Sequence, residues 1–100
     1  MKVSSVRTSR DLRDLGENLA TMRKVQGLTA ELLAERAGVT RGTLRSIERG
    51  EGTAQLGNVM AVLRVLGLSP AVIAATDPMS TELGRARVAE GLPRRVRMRS

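Results

Sequence analysis

Residues 34–52 read AERAGVTRGTLRSIERGEG, and how these nineteen residues are read decides the fold. Four arginines and two threonines stand among four glycines, with few apolar residues between them. The stretch is a loop, a solvated charged helix, or a helix whose polar face meets something other than water. Local chemistry favours the third reading. Thr29 is suited to cap a short helix ending at Ala37, with Glu31 in its first turn. Thr40 caps a second through about Arg49, ended by Gly50 and Gly52.

Only Gly38-Val39-Thr40 separates the two helices. The glycine makes the turn, the small Ala34 lets the helices approach, and Val39, Leu44 and Ile47 fill the space beneath. That is the spacing of a helix-turn-helix, whose second helix keeps its outer face free. This face holds Arg41, Gly42, Thr43, Arg45, Ser46 and Arg49: donors and small residues, with no carboxylate. Such a helix fits the major groove of duplex DNA, where side chains near its N-terminus reach base edges.

The flanking sequence predicts more helices. Residues 1–8 read as an arm. Ser9 is placed to cap a helix reaching Gln26, in which Leu12, Leu15, Leu19 and Met22 form one stripe. Asp11 and Asp14 then sit near its positive end, Arg23 and Lys24 near its negative end, and Gly27 stops it. After a polar link over residues 51–55, a fourth helix carries Leu56, Val59, Met60, Leu63 and Leu66 on one face and ends at Gly67. Ser69-Pro70 opens a fifth, short helix to about Ala75, and Asp77-Pro78 breaks the chain. From Thr81 to Glu90 the pattern supports an amphipathic turn or two, before Gly91 and Pro93 give way to RRVRMRS. No strand pattern of useful length appears, so the fold is all-α, with a domain over 9–76 and a basic tail over 77–100.

Composition narrows the function. The chain has 100 residues and no Phe, Trp or Tyr, so its core is built from small aliphatic units. A domain of this size buries limited surface, which makes a homodimer interface a natural support. Without Cys or His, thiolate chemistry, disulfides and the commonest metal ligand and general base are missing. No phosphate-binding loop and no carboxylate pair set in a cleft appears, so neither an enzyme nor a metal or cofactor is expected. No apolar run approaches the ~20 residues of a membrane span. Neither does the N-terminus resemble a secretory signal, so the expected location is cytoplasmic.

The net charge of +7 points to a polyanion, or to a charge kept for solubility. Fifteen of the seventeen basic residues are Arg, which suits phosphate and guanine but equally follows from GC-rich codons. Aromatic residues, the usual platform for unpaired bases and the usual anchor at a membrane surface, are absent. Double-stranded DNA is the favoured partner.

LTAELLAERAGVTRGTLRSIERGE, followed by LGNVMAVLRVLGLSP, resembles the lambda-repressor-like, or Xre-type, helix-turn-helix domain over roughly residues 12–76. The likeness rests on Leu28-Thr29, Leu33-Ala34, Ala37-Gly38-Val39, Ile47-Glu48-Arg49-Gly50 and Leu66-Gly67-Leu68 at fixed offsets. It implies five helices and a transcriptional regulator, most simply a repressor. Two copies would read a palindromic operator, with the part from the fifth helix onward as the dimer surface. Arg41, Gly42, Arg45 and Ser46 would face bases, and Thr29, Thr43 and Arg49 would contact phosphates. For Thr29 a plain capping role stands beside the phosphate contact. Gly42 is either a tolerated glycine or a close approach of backbone to DNA. Arg23 and Glu48 match an arginine–glutamate pair joining the first and third helices.

Departures from the family matter too. Ala30 stands where the family usually has Gln, so one contact to phosphate or to the recognition helix is missing. Leu32 replaces a polar residue, as a stray exposed hydrophobe or part of a partner surface. Small Xre-type proteins with a C-terminal extension also resemble antitoxins of the HipB kind, which bind a HipA-type kinase toxin and repress their own operon. In that alternative Leu83, Val88 and Leu92 would dock on the toxin; otherwise the tail's arginines add phosphate contacts or stay solvated. DNA binding would associate the protein with the nucleoid.

Overall fold

The computed structural model describes residues 5–93, so residues 1–4 of the expected arm and the RRVRMRS tail from 94 onward lie outside the described part. Among the described residues there are six α-helices where five were expected: α1 (Val6–Val25), α2 (Ala30–Ala37), α3 (Arg41–Arg49), α4 (Leu56–Val65), α5 (Ser69–Thr76) and α6 (Glu82–Glu90). None of them is long and apolar enough to cross a membrane. The chain divides into two compact units, Met1–Ser69 and Pro70–Ser100.

Helix α1 starts four residues earlier than a cap at Ser9 would have it. Ser5 is the cap, its hydroxyl accepting from the Thr8 amide at 3.1 Å, and nothing between Val6 and Ser9 breaks the helix. Asp11 and Asp14 consequently lie past the first turn, which holds no acidic residue, and their expected dipole contribution falls away. The C-terminal end matches expectation, with Arg23 and Lys24 in the last turn. It closes with the amide of Leu28 bonded back to the Arg23 carbonyl and that of Gly27 to Lys24. The same pattern ends α2 at Gly38, α3 at Gly50 and α4 at Gly67.

In the first unit each of α1 to α4 contributes one fully buried anchor: Leu19, Leu33, Leu44 and Val62. Ala34, Ile47, Leu63 and Leu66 complete the core. Two positions of the predicted stripes stay exposed. Leu56 is 76% exposed and Leu15 41% exposed. Both line an apolar groove of about 230 Å³ together with Leu12, Ile47 and Val59. Val62, which the stripe omitted, faces fully inward because Leu63, Leu66 and Val62 share the side of α4 that meets α2 and α3.

Two glycines set how closely α1 and α3 approach. A Cβ on Gly16 would stand 2.5 Å from the carbonyl oxygens of Ile47 and Glu48. One on Gly50 would stand 2.5 Å from the Leu12 carbonyl. The backbone of α1 therefore lies directly against the last turn of α3, anchoring its C-terminal end. At the other end of α1, Gln26 Nε2 donates to the Leu66 carbonyl at 2.8 Å and satisfies an acceptor that the end of α4 leaves unpaired.

In the second unit, Asp77 accepts from the Met79 amide at 2.9 Å and opens a 3₁₀ turn, Pro78–Ser80. Thr81 caps α6 by accepting from the Gly84 amide, and Arg85 Nη1 donates to the Met79 carbonyl at 2.9 Å. A side chain at Gly84 would overlap the Pro78 carbonyl, so turn and helix fit together only with glycine there. The expected turn or two is thus a nine-residue helix. Its Leu83 and Val88 are exposed and do not gather into one apolar stripe.

Candidate nucleic-acid interface

Helix α3 has two unlike sides. Leu44 and Ile47 are buried, while Arg41, Arg45 and Arg49 are exposed. The three arginines recur every four residues, which places them in one row along the helix. All three line a notch of about 270 Å³ that Ala20, Ala30, Leu44 and Glu48 complete. Because Ala20 and Ala30 end at Cβ, the notch stays open between α1, the start of α2, and α3.

The threonines are organised by capping. Thr40 accepts from the Thr43 amide at 3.0 Å, and its hydroxyl donates to the Thr43 hydroxyl at 3.0 Å. With one of its acceptor positions taken by Thr40, the Thr43 hydroxyl keeps its own proton to donate. Thr29 accepts from the Leu32 amide at 3.0 Å, which leaves its O–H free in the same way. Cap and donor are therefore compatible roles for Thr29, on the exposed edge where α2 begins.

Gly42 is exposed, and an added Cβ there would meet only the Thr40 hydroxyl, at 3.9 Å. Among the described residues, no packing requires a glycine at 42. Ser46 stands apart from the arginine row. It is half-buried and shares a 3.1 Å hydrogen bond with Thr53 of the link between α3 and α4.

Behind this face, Arg23 and Glu48 form a two-pronged pair. Nε lies 2.8 Å from Oε2 and Nη2 lies 3.2 Å from Oε1, while Nη1 donates to the Leu28 carbonyl at 3.0 Å. The side chains are only 13% and 14% exposed, so the pair is partly withdrawn from water. It joins the end of α1, the loop before α2, and the third turn of α3. A second, exposed ion pair brings Glu31 Oε2 to 3.9 Å from Arg41 Nη1.

Three contacts around the site escaped the sequence reading: the Gly16 approach, the Gln26 tether and the Glu31–Arg41 pair. Gly16 had a visible signal, since it shares a helix face with Leu12 and Leu19. The other two depend on how separate elements meet, and no spacing along the chain encodes them.

A family model described as helix-turn-helix matches residues 19–73. The chain is also 39% identical over 61 residues to the uncharacterized HTH-type transcriptional regulator y4mF of Sinorhizobium fredii. That alignment covers 61% of this chain and 80% of the relative. No solved structure matches the chain significantly. The motif geometry, the exposed arginine row and these matches agree: the chain belongs to the Xre-type helix-turn-helix family of DNA-binding regulators.

Proposed function

We propose that the protein is a repressor that binds a palindromic operator in duplex DNA as a homodimer, with α3 in the major groove. The observation that carries this reading is the row Arg41–Arg45–Arg49, exposed on a helix whose opposite side is buried at Leu44 and Ile47. Arg41, in the first turn, and Arg45 are assigned to base edges, together with the bare backbone at Gly42. Arg pairs bidentately with guanine O6 and N7, which suits the exposed guanidinium of Arg41. Ser46 joins this set once its bond to Thr53 opens or the two hydroxyls act together. Arg49 and the hydroxyls of Thr29 and Thr43 are assigned to phosphates, aided by the amides that open α2 and α3.

One copy of α3 covers only a few base pairs. Two copies about 34 Å apart read a dyad across one helical turn, which is why a homodimer completes the reading. Repression is then steric, by occupation of a promoter. The antitoxin alternative keeps the same DNA-facing residues and adds a kinase toxin that meets Leu83, Val88 and Leu92, all exposed.

The test is a fluorescence-anisotropy titration against duplex DNA from upstream of the protein's own gene, with a scrambled duplex as control, at two salt concentrations. Selective binding at two copies per duplex, weakening as salt rises, is the expected result. Equal weak binding to both duplexes would count against autoregulation, and one copy bound per operator would defeat the dimer.

A further inference from the structure

Glu31 is the acidic residue in the first turn of α2, and it reaches across to Arg41 in the first turn of α3. Their side chains are 79% and 62% exposed. A pair this open contributes little to folding stability. Where it stands is more informative. Arg41 begins the outward row of arginines, and a carboxylate beside that row repels the phosphates that the row would attract.

The surroundings leave this task to Glu31. Ala20 of α1 and Ala30 of α2, which line the notch beneath the row, carry no group able to hold a guanidinium. Glu48 also lines the notch, but both of its oxygens are engaged by Arg23. Among the described residues, Glu31 is thus the carboxylate that pairs with the row. Nη1 makes the closest approach, at 3.9 Å, an ion pair longer than a hydrogen bond. Among the described residues, the edge of the guanidinium formed by Nε and Nη2 makes no hydrogen bond, and two parallel N–H donors are what guanine O6 and N7 accept.

We infer that Glu31 is a positioning residue for base recognition: its charge draws Arg41 from the Nη1 side so that the opposite edge of the guanidinium is presented to a guanine. A long side chain held before binding loses less rotamer freedom on the correct base pair. The same carboxylate lowers attraction to any phosphate backbone. Glu31 therefore exchanges general affinity for discrimination. This inference rests on the role proposed for Arg41 above.

The experiment uses the full chain and a duplex chosen by in vitro selection with the wild-type protein. Anisotropy titrations compare that duplex, its single-base-pair variants and a scrambled duplex. The proteins are wild type, Glu31→Gln, Arg41→Ala and the double variant. Glu31→Gln is expected to bind the scrambled duplex more tightly than wild type. It should also lose about three- to tenfold of its discrimination, a part of what a whole bidentate pair supplies, at the one base pair where Arg41→Ala loses it. In the double variant, discrimination should match that of Arg41→Ala alone.

Uniform tightening on every duplex, with discrimination intact, would overturn the inference and leave Glu31 a repulsive surface charge. Loss at a different base pair, adding to the Arg41 effect in the double variant, would overturn it too, because Glu31 would then read a base itself. If Arg41→Ala kept full discrimination, the base-reading role of Arg41 would fail first and the inference with it. That result differs from one in which Arg41→Ala has its effect and Glu31→Gln does not.

Discussion

Arg41 and Arg49 stand in the same row two turns apart, yet the proposal gives them different partners. The difference is measurable. Arg41→Ala should cost roughly 1–3 kcal/mol on the operator and flatten preference at one base pair. Arg49→Ala should weaken binding to all sequences alike and make the salt slope shallower by about one unit. Titrations over a salt series separate the two, and identical behaviour would end the division into base and phosphate contacts. Gly42 gives a second test. Because an added Cβ finds open space in the free protein, Gly42→Ala should raise folding stability by about 0.5–1 kcal/mol. If bare backbone at 42 approaches the duplex, the same variant binds DNA more weakly while melting at a higher temperature. Thermal melting and DNA titration on one preparation show whether the two changes run in opposite directions.

The elements are held where main chain meets main chain. Gly16→Ala has the better helix former in α1 but places its methyl group against two carbonyl oxygens of α3. The expected net effect is a loss of roughly 1–3 kcal/mol in urea unfolding, as for other overpacked contacts. Gly57→Ala in α4 is its control, since nothing lies within 4 Å of the added Cβ; it should be neutral or stabilising. The Arg23–Glu48 pair also ties α1 to α3. Charge-assisted bonds of this geometry support a coupling of about 1–3 kcal/mol in a double-mutant cycle on unfolding. A coupling near zero would mark the two as independent charges. Operator affinity measured on the same variants shows whether the pair also orients α3.

At the scale of the whole molecule, chain punctuation was the most legible feature. Thr29, Thr40 and the glycines at 27, 38, 50 and 67 each satisfy orphan backbone groups locally, so their roles can be read without knowing the fold. The outward face of α3 was legible for a related reason: Leu44 and Ile47 are its only large apolar residues, and they fix which side turns in. Helix α4 lacks that contrast. Apolar residues surround most of it, so nothing in the pattern separates the buried Val62 from the exposed Leu56. The start of α1 was misplaced because Ser5 and Ser9 are equivalent as caps, and only the backbone beyond Ser9 distinguishes them. The Glu31–Arg41 pair was the least legible, since it depends on the angle at which α2 meets α3.

In the proposed complex, DNA meets the outward face of α3 and the start of α2. Backbone amide chemical-shift mapping of the isotopically labelled protein, titrated with its selected duplex, tests this most directly. The largest changes are expected at residues 29–31 and 40–46 and at Arg49, with small changes at the exposed residues of α4. Changes centred on α4 or α6, with α3 unmoved, would contradict the account.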